Sequence, residues 1–184
     1  MIRVLEVLLS IFGLIMLSPI LIVIVILGFF DTGSPIFAQK RIGKNQTLFT
    51  LYKFRTMSVD TKSVGTHEVS ESQITRLGSV LRRTKLDELP QLWNVIMGAM
   101  SLVGPRPNLP SQLELIRERE NKGVYGVRPG ITGLAQIQEI DMSTPRLLAE
   151  TDAKMIREMR TKEYFRLLVL TVLGKGQGDR VKRP

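Results

Sequence analysis

Asp87 and Glu88 are adjacent carboxylates in a chain otherwise rich in cations, with Lys53, Arg55 and Arg82 before them and Arg106 and Arg128 after. That mixture suits phosphate chemistry assisted by a divalent cation. Magnesium is commonly held by one or two carboxylates together with substrate phosphates. Arginine grips phosphate oxygens through two parallel N–H donors. A carboxylate can also attack phosphorus and form a covalent intermediate. A plainer reading competes: Asp87 as a helix cap and Glu88 as a solvated first-turn acid. On spacing alone the plainer reading is the stronger. Other chemistries are excluded or disfavoured. There is no Cys, which removes disulfides, thiolate nucleophiles and zinc–thiolate sites. The single histidine, His67, sits in a polar stretch and reads as a loop residue, so histidine-cluster metal sites and Ser-His-Asp chemistry are disfavoured.

The elements that must position these residues can be read in part. Leu89, Leu92, Trp93 and Ile96 recur at helical spacing. Pro90 is tolerated only in a first turn, so the helix is expected to begin near Asp87, where backbone N–H groups and the dipole favour negative charge. Upstream, Arg76 to Lys85 reads as a helix with Leu77, Val80 and Leu81 on one side. Pro35 to Met57 reads as a β-hairpin around the polar turn Gly43-Lys44-Asn45-Gln46. Its second strand places Leu51, Lys53 and Arg55 on one face and Tyr52 and Phe54 on the other. Two cations on one face could hold phosphate; a solvated edge is the favoured alternative. Ser58 to Thr75 reads as a loop.

Ser101 to Pro107 and Val127 to Leu134 read as two rigid loops, the first holding Arg106 between Pro105 and Pro107. Ser111 to Lys122 between them reads as a charged helix. From Pro145 a long helical pattern runs through Lys154, Arg157, Arg160, Lys162 and Arg166 into the apolar run Leu167 to Leu173. A basic segment merging into an apolar one suits a membrane interface, and packing on the protein's own core is the alternative. The basic, Gly-rich tail from Gly174 is expected to be mobile.

No charged residue occurs between Val7 and Phe30. As a straight helix that run would reach about 36 Å, enough to cross a bilayer core. It is too long for a signal peptide, and Gly28-Phe29-Phe30-Asp31 is a poor cleavage site. Pro19 lacks the N–H that would bond to the Ile15 carbonyl, so a sharp kink is expected, with the Ser18 hydroxyl placed to supply a partner. Arg3 precedes the run, and Lys40, Arg41 and Lys44 follow it, so both flanks are basic and favour the cytoplasmic side. A re-entrant helix and an ordinary spanning one both remain open. The net charge of +9 favours anionic partners. A nucleic-acid partner is disfavoured, since no recognisable binding module or aromatic stacking surface accompanies the charge.

Several segments in order carry a specific resemblance: Ser18-Pro19, Tyr52 to Met57, Leu86 to Asn94, Met100 to Pro107 and Arg128 to Gln136. Together they resemble the bacterial sugar-transferase family of monotopic phosphoglycosyl transferases, over nearly the whole chain to about Arg180. The match is to the core catalytic unit; the additional N-terminal membrane helices of larger members have no counterpart. The resemblance implies an α+β, mostly helical fold. Residues 1–34 would form a re-entrant membrane helix broken at Ser18-Pro19. Residues 35–184 would form a cytoplasmic catalytic domain with a short hairpin and amphipathic interfacial helices, on the cytoplasmic face of the bacterial inner membrane. It implies transfer of a sugar-1-phosphate from a UDP-sugar to polyprenyl (undecaprenyl) phosphate, releasing UMP. Asp87 would be the nucleophile and Glu88 the Mg2+ ligand, with Asp87 sharing the ion or not. Lys53 and Arg82 match phosphate-handling positions, and Pro105-Arg106-Pro107 matches the loop that meets the nucleotide. Membrane lipids, and in some settings other glycan-assembly enzymes, are the implied partners. A non-catalytic scaffold of glycan assembly is the alternative. After Gln136 the pattern departs: Ile137 to Pro145 lacks the Arg that many relatives carry, and no role is transferred there. An N-acetylated UDP-hexosamine, deoxygenated or not, is the expected donor, though no residue names the sugar.

Overall fold

The computed structural model describes residues 2–61 and 73–176. His67 and the end of the basic tail lie outside the described residues. The chain is mostly helical and divides into two compact units, one built from Met1–Gln39 and Thr50–Gly98, the other from Lys40–Phe49 and Ala99–Gln177.

The first unit begins with a 31-residue helix, α1 (Ile2–Thr32), which runs on through Pro19. The Ser18 hydroxyl donates to the Ile15 carbonyl at 2.8 Å. That carbonyl is the one proline leaves without its usual partner, so the expected substitution occurs. Most of α1 is exposed and apolar; Phe12, Ile15, Met16 and Phe30 are among the exposed residues. A narrow stripe is covered instead: Glu6, Ser10, Ile24 and Gly28 are buried, two pairs four residues apart that fall on one helix face.

The expected hairpin is present. Strands β1 (Ile36–Ile42) and β2 (Leu48–Phe54) pair antiparallel around a 3-10 turn at Lys44–Gln46. Asn45 and Gln46 take left-handed conformations (φ 53° and 58°), a region where Asn is among the better-tolerated non-glycine residues. The base of the hairpin belongs to the first unit and its tip to the second.

Helix α2 (Arg76–Thr84) starts where expected, capped by the Thr75 side chain accepting from Gly78 N at 2.9 Å. Gly78 is required by close approach: a Cβ there would lie 2.1 Å from the Thr56 carbonyl oxygen. Lys85 ends α2 in the left-handed region (φ 59°), and a separate 3-10 turn, Leu86–Glu88, follows. Helix α3 (Gln91–Ile96) is short and has Pro90 at its N-cap. Asp87 and Glu88 therefore do not open α3, contrary to the expectation drawn from Pro90. Glu88 N bonds to Lys85 O and Leu89 N to Leu86 O, each three residues back, which winds this stretch too tightly for an α-turn. The face α3 buries also differs from the apolar stripe: Gln91, Asn94 and Val95 are buried, whereas Trp93 is 51% exposed.

In the second unit the two proline-glycine loops are not loops alone. Each contains a short strand, β3 (Ser101–Val103) and β4 (Gly130–Thr132), paired in parallel with Ser101 opposite Gly130 and Val103 opposite Thr132. The backbones nearly touch: a Cβ on Gly130 would lie 2.0 Å from Gly104 N. Helices α4 (Leu113–Asn121), α5 (Leu134–Ile137), α6 (Pro145–Glu158) and α7 (Thr161–Val172) complete this unit. The long helical pattern after Pro145 is thus two helices, separated by extended backbone at Met159 and Arg160. Leu115, Ala135 and Leu148 form an apolar cluster of this unit.

Candidate active site

Lys53, at the end of β2, is 8% exposed. The favoured solvated-edge reading of this strand fails for Lys53, because its side chain lies over Phe37 of β1, with Nζ 5.7 Å from the ring centroid. Arg55 shares that face, its Cζ 5.4 Å from the same centroid, and its Nε donates to Ser34 O at 2.8 Å. Period-2 alternation thus put both cations on one side, as expected, and the aromatic ring faces the charged head of each.

Two buried polar side chains tie this strand to the helices around the carboxylates. Asn94 of α3 accepts from Tyr52 N at 3.1 Å and donates to Thr50 O at 2.7 Å, so its carboxamide spans the strand at Leu51. Thr56, just past the strand, accepts from Arg82 Nε at 3.1 Å, and its carbonyl accepts from Thr75 N at 3.1 Å. Arg82 thereby sits in the last turn of α2 with one nitrogen committed. Its Nη1 is buried with no protein hydrogen-bond partner. The left-handed Lys85 then reverses the chain, and Asp87 follows, 7% exposed, with Glu88 half-buried beside it. Lys53, Arg82 and the Asp87-Glu88 pair are thus carried by neighbouring elements of one unit, held by Asn94 and Thr56. Neither Asn94 nor Thr56 stood out in the sequence as a site residue. Their signal is that they are amide and hydroxyl residues inside otherwise apolar or charged motifs, Leu92-Trp93-Asn94 and Phe54-Arg55-Thr56.

Asp87 and Glu88 are the adjacent carboxylates that could hold a divalent cation here. Among the described residues no group of three or more His, Cys, Asp or Glu side chains gathers as a cage. Two adjacent carboxylates suit an ion that completes its shell with water and substrate phosphate oxygens. An unsatisfied guanidinium nitrogen and a lysine are the complementary groups for an anionic substrate.

In the second unit, Pro105, Arg106 and Pro107 lie in a stretch that is buried from Leu102 to Leu109, apart from the half-exposed Arg106. Each carbonyl in the loop is taken. Pro105 O accepts from Gly130 N at 2.9 Å and Arg106 O from Arg119 Nη1 at 2.8 Å. Pro107 O accepts from Arg41 Nη1 at 3.1 Å and Asn108 O from Ile42 N at 3.0 Å. Arg128 is exposed and precedes β4, on the loop paired with this one.

The chain matches the bacterial sugar transferase family over residues 1–176. The chain belongs to that family. Among relatives of this bacterial sugar transferase, an uncharacterized sugar transferase of Haemophilus influenzae is 37% identical over 77% of the chain, covering 34% of the relative. The UDP-galactose-lipid carrier transferase of Erwinia amylovora is 39% identical over 66% of the chain and 29% of its own length. A putative undecaprenyl-phosphate N-acetylgalactosaminyl 1-phosphate transferase of Bacillus subtilis is 40% identical over 59% of the chain and 62% of the relative. The chain therefore spans about a third of the length of the first two.

Proposed function

We propose that this bacterial sugar transferase moves a sugar-1-phosphate from a UDP-sugar to undecaprenyl phosphate at a membrane surface, with Asp87 as covalent nucleophile. The observation that carries this reading is the burial of Asp87 in the unit that also carries Lys53, seated over Phe37, and Arg82, braced by Thr56. The family and the names of the Erwinia and Bacillus relatives support the same reaction class.

A carboxylate oxygen of Asp87 attacks the β-phosphorus of the UDP-sugar. The bond from that phosphorus to the bridging oxygen breaks, UMP leaves with the electron pair, and a sugar-phosphoryl-aspartate remains. A phosphate oxygen of undecaprenyl phosphate then attacks the same phosphorus, the acyl phosphate bond breaks, and the Asp87 carboxylate is restored. The product is undecaprenyl-diphospho-sugar. Lys53 and Arg82 offset the negative charge that must gather on the phosphoryl oxygens, and their fixed placement serves in-line displacement. Glu88, with or without Asp87, would hold Mg2+, which when bound neutralises phosphate charge. The loop at Pro105-Arg106-Pro107 and Arg128 would meet the nucleotide. Two anionic substrates can use one site in turn, a ping-pong scheme.

The same reading takes α1 as re-entrant and the carboxylates as cytoplasmic. Both halves of α1 rest on the unit that holds Asp87. Arg3 donates to Val95 O, and Gly13 lies against Leu92. Further along, Ile24 packs with Phe54 and Leu81, and Gly28 lies against Pro35. Ser18 and Pro19, between these halves, are exposed. A helix whose two ends serve one polar unit suits entry and exit by the same face. Helix α7 leaves Phe165, Val169 and Val172 exposed beside Lys162 and Arg166, which suits an interfacial position. The test is UMP release from a panel of UDP-sugars with undecaprenyl phosphate and magnesium. Turnover abolished in both Asp87→Asn and Glu88→Gln is expected; equal turnover in those variants would leave a non-catalytic scaffold as the better reading.

A further inference from the structure

The charged helix α4 holds one cation that is fully buried. Arg119 is 1% exposed. Its Nε and Nη2 donate to Asp152 Oδ2 at 3.1 and 2.7 Å, and Asp152 is itself 1% exposed. Its Nη1 donates to Arg106 O at 2.8 Å and to Asn108 Oδ1 at 3.0 Å. Tyr125 OH donates to the same Asn108 oxygen at 3.0 Å. Burial pushes the Asp152 carboxyl up, and the Arg119 guanidinium opposes that shift. Burial likewise pushes the Tyr125 hydroxyl up, which keeps it a donor.

We infer that Arg119, oriented by Asp152, is a positioning residue for the Arg106 loop and not a phosphate ligand. Its three guanidinium nitrogens are all committed to protein acceptors, so it offers nothing to a substrate. A buried ion pair is a costly way to stabilise a fold. What this pair accomplishes is specific: it fixes the carbonyl of the one half-exposed residue in a buried loop, and so fixes the direction in which the Arg106 side chain leaves the backbone. The Pro residues on either side restrict the backbone of Arg106, and the Arg41 and Ile42 bonds hold the loop just beyond it. Lysine could not replace Arg119, because its three donors sit on one nitrogen and cannot occupy the separate places from which Nε, Nη1 and Nη2 reach Asp152, Arg106 O and Asn108 Oδ1. The inference deepens the proposed function, since it rests on Arg106 meeting the nucleotide.

The test is a double-mutant cycle on the full-length chain in detergent, with UDP and magnesium as the probe and Kd read by calorimetry. Arg106→Ala and Arg119→Lys should each weaken UDP binding by about tenfold, the cost of one misplaced charged hydrogen bond. Combined, they should be no weaker than Arg106→Ala alone within about twofold, because Arg119 acts only through Arg106. A purely structural role would give additive losses and a lowered Tm without this coupling. Unchanged binding in Arg119→Lys, or additive losses, would overturn the inference. Should Arg119→Lys fail to fold, Tyr125→Phe carries the test: a loss of about threefold that vanishes in the Arg106→Ala background supports it, and no loss in either background overturns it. UMP release by the unsubstituted chain is measured in parallel. UDP binding with this coupling but no UMP release from any donor would leave the Arg119 relation standing and overturn the proposed reaction instead.

Discussion

The Tyr52 backbone N–H donates to Asn94 Oδ1 at 3.1 Å, while the other end of the same carboxamide donates to Thr50 O at 2.7 Å. A single side chain thus joins the helix that follows Asp87 to the strand that carries Lys53. Asn94 is 4% exposed, so its carboxamide makes both bonds largely shielded from water.

Asn94→Ala should therefore cost about 1–2 kcal/mol, since it removes two side-chain hydrogen bonds from a part-buried site. Asn94→Asp keeps the bond from Tyr52 and loses the one to Thr50 O. UMP release should fall by about 10- to 100-fold in both variants as Lys53 and Asp87 lose their fixed separation. Thermal melting and initial rates measured on the same preparations would check this. Full activity in Asn94→Ala would show that the strand and helix are held by something else.

Gly130 and Gly104 should tolerate no side chain. A Cβ on Gly130 would fall 2.0 Å from Gly104 N, and one on Gly104 would fall 2.5 Å from Arg128 O. Alanine at either position must push apart β3 and β4, so a loss above about 3 kcal/mol or failure to fold is expected. Gly126→Ala is the control: nothing lies within 4 Å of its added carbon. Its Tm should match that of the unsubstituted chain.

Arg82→Lys separates charge from geometry. Lysine retains the cation but loses the Nε bond to Thr56 Oγ1 at 3.1 Å and the two-nitrogen fork that the proposed grip on phosphate would use. UMP release should fall by about 10- to 100-fold with little change in Tm, as expected where a bidentate arginine is replaced by a point charge. Wild-type turnover would show that Arg82 is a structural brace for Thr56 alone.

Much of this arrangement was legible beforehand, and what escaped has physical reasons. The hairpin, the α2 start at Arg76 and the Ser18 bond to Ile15 follow from local rules of alternation, capping and proline chemistry. The position of Asp87 was only partly legible. Pro90 was expected in the first turn of a helix begun near Asp87; instead it caps α3, and Asp87 and Glu88 lie in a separate 3-10 turn that follows the left-handed Lys85. The Arg119–Asp152 pair was not legible. In sequence Arg119 sits among Glu118, Glu120 and Lys122, a pattern that reads as a solvated face, and its partner lies in a different helix. The β3–β4 pairing was hidden for the same reason: three-residue strands carry almost no periodicity, and only the crowding of Gly104, Gly130 and Gly133 hints that the backbones meet.

The reading of α1 predicts that its two ends share a side of the bilayer. Ile2→Cys and Lys40→Cys, introduced singly into this cysteine-free chain, should both react with an impermeant maleimide only when the cytoplasmic face is exposed. Reaction from opposite faces would establish a spanning helix. Ser18→Ala should lower Tm modestly, by removing the donor to the Ile15 carbonyl, a loss of about 1 kcal/mol within a membrane helix.

The central claim is that Asp87 carries the sugar phosphate between the two substrates. Intact-protein mass spectrometry after incubation with magnesium and UDP-sugar, without undecaprenyl phosphate, tests it most directly. UDP-galactose and UDP-N-acetylgalactosamine are the first donors to try, given the relatives' names. The predicted result is a mass increase of one sugar phosphate, localised to Asp87, absent in Asp87→Asn and discharged when undecaprenyl phosphate is added. An enzyme that turns over with both substrates present, yet forms no adduct and releases no UMP from the donor alone in a rapid-quench experiment, would contradict it.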